Sequence, residues 1–182
     1  MKNGLQMLFS SLLLLWGSQA FALDLPRKSP KASVSQHVGV TKISVMYYSP
    51  AVRGRKIWGK LVPYEKVWRT GANAGTQITF SEDVKLQGQA VQAGSYYIFT
   101  VPRAAPKSWT FFLSRDGRAW QKPFNPKESV VNIEIKPTEI PARERLAFQF
   151  TDTTESTTKL HLEWEKVRVS VEISAPTDTI VT

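Results

Sequence analysis

From residue 33 onward the apolar positions recur with a period of two, and no stretch keeps the 3.6-residue period of a helix. Ile43, Val45 and Tyr47 alternate with Ser44, Met46 and Tyr48. Residues 77–80 alternate in the same way and run into Ser81-Glu82-Asp83, a turn. Val84 and Leu86 then lead into Gln87-Gly88-Gln89, which predicts a hairpin. Ala93-Gly94 precedes SYYIFTV, where Tyr97, Phe99 and Val101 oppose Tyr96, Ile98 and Thr100. Trp109, Phe111 and Leu113 form the next strand, closed by Arg115-Asp116-Gly117-Arg118, whose Asp-Gly pair is a tight-turn signal. Residues 122–127, with Pro123 and Pro126, read as loop. Val131, Ile133 and Ile135, then Leu146, Phe148 and Phe150, mark two more strands.

Near the end, Leu160, Leu162 and Trp164 share one face, whereas Val167, Val169, Val171 and Ile173 fall on the opposite parity. A two-residue hairpin at Glu165-Lys166 accounts for the change and sets Trp164 opposite Val167. Glu-Lys is a poor pair for that turn, so a bulge or a longer loop is the alternative. About eight or nine short strands predict an all-β, single-domain antiparallel β-sandwich, jelly-roll-like, or an open barrel.

The start of the chain follows a different pattern. MKNGLQMLFSSLLLLWGSQAFA has a basic residue, a short apolar stretch over residues 7–16 and small residues, Ala20 and Ala22, at a cleavage site. This is the layout of a signal peptide over residues 1–22, and the apolar stretch is shorter than the ~20 residues that span a bilayer. The reading is therefore an exported protein, periplasmic or extracellular, with no transmembrane segment after cleavage. Residues 23–32 read as a flexible basic segment, 33–174 as the β-domain and 175–182 as a flexible tail. The chain has no Cys, so neither a disulfide nor a lipidated cysteine is available, and packing alone must stabilise it.

Charge is unevenly placed. The chain has 24 Lys and Arg against 15 Asp and Glu. Between residues 25 and 64 there is no acid, but there are Arg27, Lys28, Lys31, Lys42, Arg53, Arg55, Lys56 and Lys60. Such a local field favours anionic partners and says nothing about fold. Export and the lack of a recognition module argue against nucleic acid.

Catalytic motifs find little support. With only two His and no Cys, cysteine chemistry and multi-histidine zinc sites are excluded. His161, between Leu160 and Leu162, is expected on the solvent face of its strand. His37 has no G-x-S-x-G elbow to serve. Glu82, Asp83, Asp116, Glu163 and Glu165 fall at turns or outward positions and read as solvated charges. No phosphate-binding glycine loop is present. No catalytic residue, metal ligand or cofactor is assigned.

One segment stands apart: residues 49–76, SPAVRGRKIWGKLVPYEKVWRTGANAGT. It is too interrupted by Pro and Gly to be one regular element, and too rich in Trp, Arg and Asn to be a linker. Arg53 and Arg55 flank Gly54, which permits close backbone approach or a positive φ. Arg is a planar fork of donors suited to carboxylate, phosphate or sulfate, and Trp offers a stacking face. The candidate ligand-binding residues are Arg53, Arg55, Lys56, Trp58, Trp68, Arg69 and Asn73. The structural alternative is that Trp68 plugs the core while Arg69 and Asn73 satisfy loop backbone.

The stretches SPKASVSQ (29–36), GVTKISVMYYSP (39–50), GRKIWG (54–59), LVPY (61–64) and VWRTGAN (67–73), with AGSY (93–96) and LEWEK (162–166), resemble the DUF2911 family. The resemblance implies an exported bacterial all-β protein of unknown function, with no established catalytic residue to carry over. In that family Gly-Ala-Asn commonly continues with Glu-Ala-Thr, whereas here it continues with Ala74-Gly75-Thr76. The missing Glu argues against acid/base catalysis at the motif and leaves the arginines less neutralised. The leading reading is a non-enzymatic binding domain for an anionic or glycan-like envelope component. The alternatives are an envelope hydrolase drawing a base from His37, Glu65 or Tyr47, and an assembly module that pairs with another envelope protein through a sheet edge.

Overall fold

The computed structural model describes residues 26–176. The expected signal peptide and nearly all of the expected C-terminal tail lie outside the described residues. Ten strands form two antiparallel sheets. They are β1 (Lys31–Val38), β2 (Thr41–Tyr48), β3 (Thr76–Phe80), β4 (Val84–Leu86), β5 (Gln89–Val91), β6 (Gly94–Val101), β7 (Trp109–Ser114), β8 (Val131–Ile135), β9 (Thr138–Thr151) and β10 (Thr157–Ser174). One sheet has the order β1-β2-β3-β6-β7-β8 and the other β5-β4-β10-β9. The all-β sandwich expected from the alternation is what forms, and no sheet closes into a barrel. No helix among the described residues is long and apolar enough to cross a membrane.

The alternation explains the core directly. Ile43, Val45 and Tyr47 of β2, Ile78 and Phe80 of β3, Trp109, Phe111 and Leu113 of β7 and Leu160, Leu162 and Trp164 of β10 all belong to one buried cluster between the sheets. β6 and β7 bury both faces. Their outward Phe99, Val101 and Phe112 form a second cluster, covered by Val67, Ala119 and Phe124 from two connections. The tight turn expected at Asp116-Gly117 forms, with Ala119 N–H bonded to Asp116 O (3.2 Å), and it opens the second of those covers. β7 does pair with β8, but only after residues 115–130 have crossed the outer face. Gly117 is needed there because a Cβ would lie 2.7 Å from the Tyr97 ring.

The hairpin expected at Glu165-Lys166 is present. The run 157–174 folds back on itself there: Ala175 N–H donates to Ser156 O (2.9 Å), Ser170 Oγ lies 2.7 Å from His161 Nδ1, and Arg168 reaches Glu163. β10 therefore contributes two arms to its sheet, one beside β9 and one beside β4. Glu165 takes the turn at φ +56° although Glu-Lys is a poor pair for it. Trp164 and Val167 flank the turn and oppose each other, and Trp164 and Val169 both face the core.

His161 and Glu163 are buried rather than solvent-facing. Alternation puts them on the outer face correctly, but long neighbours lie over them. Glu163 accepts from Arg143 (2.7 Å) and Arg168, with Gln149 at 3.3 Å. His161 sits between Thr151 Oγ1 (2.6 Å from Nε2) and Ser170 Oγ (2.7 Å from Nδ1). Two hydroxyls serve a neutral imidazole fully, since each can donate or accept. Burial, followed by the nearby Arg168 charge, lowers the His161 pKa.

Two outcomes follow from this outer-face network. Breaking a fully buried ion pair costs about 3–5 kcal/mol. Here both arginines keep more than a third of their side chains in water, so we expect Glu163→Gln to lower unfolding free energy by about 2 kcal/mol in denaturant titrations. For His161, the unfolded imidazole takes up its proton as pH falls below about 6.5, and the folded one only lower. In that window the unfolded state holds more protons, so stability declines as pH falls, until the folded His161 also titrates. Unfolding midpoints of a His161→Gln variant should lack this decline.

Candidate functional site

The segment between β2 and β3 is irregular because it serves both sheets in turn. Its first residues continue β2 and then switch to β9 of the other sheet. Val52 N–H donates to Glu144 O (2.8 Å), Leu146 N–H to Pro50 O (2.9 Å) and Ser49 Oγ to Leu146 O (2.6 Å). A reversal then drops Ile57 and Val62 into the core, closed by Val62 N–H to Ile57 O (3.0 Å). Finally Trp68 and Thr100 exchange two backbone hydrogen bonds (2.8 and 3.0 Å), so Trp68 takes the place beside β6 that β3 leaves vacant.

Two tryptophans of this segment complete a cluster of four. The Trp58 ring lies 4.8 Å from Trp109 of β7 and 5.7 Å from Trp68, centroid to centroid. Trp68 stacks on Trp164 of β10 at 5.9 Å and 19°. Aromatic pairs of this geometry each contribute about 0.5–1.5 kcal/mol beyond the area they bury. Beneath Trp68, fully buried hydroxyls hold the turn. Thr70 Oγ1 donates to Trp68 O (3.2 Å), and Thr76 Oγ1 donates to Thr70 O (2.8 Å). Thr70, β-branched, is held at φ +54°, a conformation that persists only where its surroundings fix it.

Above the cluster, near the ends of β2 and β6, lies a cleft of about 380 Å³. Four cationic side chains line it, Lys28, Arg53, Arg55 and Arg69, with no Asp or Glu among the lining residues. Among the described residues none of the four forms an ion pair. Arg53 Nη2 donates to Lys28 O (3.0 Å) and Arg55 Nε to Val52 O (3.0 Å), so backbone carbonyls orient both guanidinium groups without neutralising them. One acid reaches the segment: Glu144 Oε1 accepts from the Arg53 backbone N–H (2.9 Å). Arg53 and Gly54 are both at positive φ, and a Cβ on Gly54 would meet nothing within 4 Å, so Gly54 serves the turn rather than close approach. The Arg69 guanidinium lies 4.7 Å from the Trp120 ring centroid.

Of the residues singled out in the sequence, Arg53, Arg55, Trp68 and Arg69 line this cleft together. Trp58 lies behind it, packed on Trp68 and Trp164. Lys56 is exposed and outside it. Asn73 is also outside, its Nδ2 donating to Ser29 O (3.2 Å) and tying the turn to the N-terminal segment. His37, Glu65 and Tyr47 do not line the cleft. His37 pairs with Lys42 at the far end of β1, Glu65 is ion-paired with Arg103 (3.1 Å), and Tyr47 is buried edge-on against Phe148. Sequence reasoning missed Lys28, Trp120 and Trp164 as cleft residues. Trp120 left the one usable signal, a lone Trp in a polar loop.

The fold and this cleft define a β-sandwich domain with a cationic, tryptophan-walled recess beside its longest connection. The chain belongs to the DUF2911 family, described as a protein of unknown function, which matches residues 29–173. No curated protein and no solved structure matches it.

The tryptophans and the arginines should separate in mutagenesis. Trp68→Ala removes a partly exposed aromatic from the cluster and is expected to cost about 3 kcal/mol, the low end for such truncations. Arg53→Ala and Arg55→Ala should each stay within about 1 kcal/mol of wild type, as exposed substitutions do. Chemical denaturation of the three variants checks this.

Proposed function

We propose that this protein is an exported, non-enzymatic binding domain whose cleft holds an anionic or glycan-like component of the cell envelope. The observation that carries the reading is the lining of the cleft: Lys28, Arg53, Arg55 and Arg69 with no carboxylate in the lining, Glu144 being bonded to the Arg53 backbone N–H rather than to a guanidinium group. Four like charges around one recess repel each other, and nothing in their own fold neutralises them. A bound anion does so. The recess is within the roughly 300–1,000 Å³ range of small-molecule sites, large enough for a ligand body as well as its charge. The signal-like N-terminus supports an envelope location for the encounter.

The cations sit close to solvent, so their attraction is screened over roughly 8 Å at physiological salt. Affinity should therefore fall as salt rises. We expect sulfated or carboxylated glycans to raise the melting temperature of wild type, by the equivalent of about 2.7 kcal/mol at one hundred times Kd. The Arg53→Ala/Arg55→Ala double variant should lose most of that shift. Thermal-shift measurement at low and high salt reads both effects. Equal shifts in the double variant would remove the cleft from the account.

A further inference from the structure

The cleft has an apolar rim that its charge does not explain. Five large apolar side chains are exposed among the described residues: Val40, Leu61, Tyr64, Trp120 and Val130. Single ones scattered over a surface are ordinary. Three of these gather at one place. Leu61 (44% exposed) and Trp120 (36% exposed) both line the cleft. Tyr64 closes the same reversal, its ring so near Gly59 that a Cβ there would lie 2.7 Å from it.

The exposure of Leu61 is built into the turn. Buried Ile57 and Val62 anchor the reversal, and the amides of Gly59, Lys60 and Leu61 donate to Val62 O (2.9 Å), Ile57 O (3.2 Å) and Lys56 O (3.3 Å). The fold therefore holds Leu61 out in water at a fixed tip, with Lys56 and Lys60 exposed beside it. Neither lysine is ion-paired among the described residues. The acids close by in the chain are already engaged: Glu65 by Arg103 (3.1 Å) and Lys107 (3.7 Å), and Asp116 by Lys122 (3.6 Å).

A small hydrated anion would answer the cations and leave Leu61, Tyr64 and Trp120 in water. The surface of an anionic phospholipid membrane answers both. Its phosphates take the cations, and the layer beneath them takes apolar side chains. Tyr and Trp favour that boundary because one end of each ring is apolar and the other polar. Lysine stems lie along the apolar layer while their ammonium groups stay among the phosphates. Binding of this kind grows with the apolar area inserted and with the attraction to anionic lipid. Resting on the binding reading above, we infer that the envelope component is a phospholipid membrane surface: the cleft takes an anionic lipid headgroup, and Leu61, Tyr64 and Trp120 enter the layer between headgroups and acyl chains.

The test mixes the chain as processed in the producing cell with vesicles of phosphatidylcholine, alone or together with phosphatidylglycerol, and separately with a soluble sulfated oligosaccharide. Sedimentation gives vesicle affinity, and brominated acyl chains quench any tryptophan that reaches them. Wild type should bind the anionic vesicles at least about ten-fold more tightly than the neutral ones, since each Lys or Arg at such a surface contributes about five-fold. Leu61→Ala should weaken that binding about ten-fold, because each methylene kept from an apolar layer costs about four-fold. Lys56→Ala/Lys60→Ala should weaken it about twenty-five-fold. Val40→Ala, exposed at the opposite end of β2, should bind as wild type does. Brominated lipid should quench wild-type emission, and Trp120→Phe should lose most of that quenching. Equal binding by Leu61→Ala, no quenching, or no preference for anionic vesicles overturns the membrane inference. So does a failure to bind vesicles while the oligosaccharide still raises the melting temperature through Arg53 and Arg55, and the anion-binding cleft then stands. If neither vesicles nor oligosaccharide bind, both fall. Leu61 sits exposed at a tip, so its variant keeps the fold, and the wild-type quenching needs no variant.

Discussion

Everything distinctive about this molecule depends on one contact: Trp58 and Trp68, from an irregular connection, closing on Trp109 and Trp164 from the two sheets. A connection of this length between β2 and β3 has no ladder of its own to satisfy its backbone. The tryptophans give it an apolar anchor, and borrowed partners on β9 and β6 take its hydrogen bonds. Once Trp68 is fixed, so are Arg69 and the strained turn at Thr70. Once the chain between Ala51 and Val62 is fixed, so are Arg53 and Arg55. The cleft is therefore rigid scaffold bearing charged side chains, the arrangement that limits the entropy lost on binding.

Electrostatics is handled in opposite ways on two parts of the surface. On the outer face of β9 and β10, Glu163 is enclosed by Arg143 and Arg168, so its charge is fully met within the chain. At the cleft, carbonyl oxygens hold the guanidinium groups in place but cancel nothing. Carbonyl dipoles orient a cation at modest energy, whereas a carboxylate would occupy the same donors that an incoming anion needs. That contrast, more than the count of basic residues, sets the cleft apart from an ordinary basic surface.

Much of the fold was legible because alternation is a local property. The core positions of β2, β3, β7, β8 and β10 follow from it, as does the β4–β5 hairpin. It failed where distant chain covers a surface. His161 and Glu163 occupy the outward parity, yet they are buried by side chains that strand register alone brings near. Asp116-Gly117 marked its turn, but not the long cover that follows, where the glycine makes room for Tyr97. At Glu165-Lys166, by contrast, the parity change marked the hairpin rightly, even though the residue pair itself is a poor turn signal. At the site, the basic and aromatic segment was visible as a segment. Which of its residues share a cleft was not, because Lys56 and Asn73 differ from Arg55 and Arg69 only in the direction the folded turn gives them.

The central claim is that the tryptophan contact makes the connection part of the folded core, so that the cleft exists before any ligand arrives. Native-state amide hydrogen exchange tests this most directly. Trp68 and Val62 N–H, bonded to Thr100 O and Ile57 O, report on the connection, and the β6 amide of Ile98 reports on the core. The account predicts that Trp68 and Val62 exchange at the free energy of global unfolding, together with Ile98, without ligand. If they exchanged several kcal/mol more easily than Ile98, the connection would open on its own and the cleft would not be preformed.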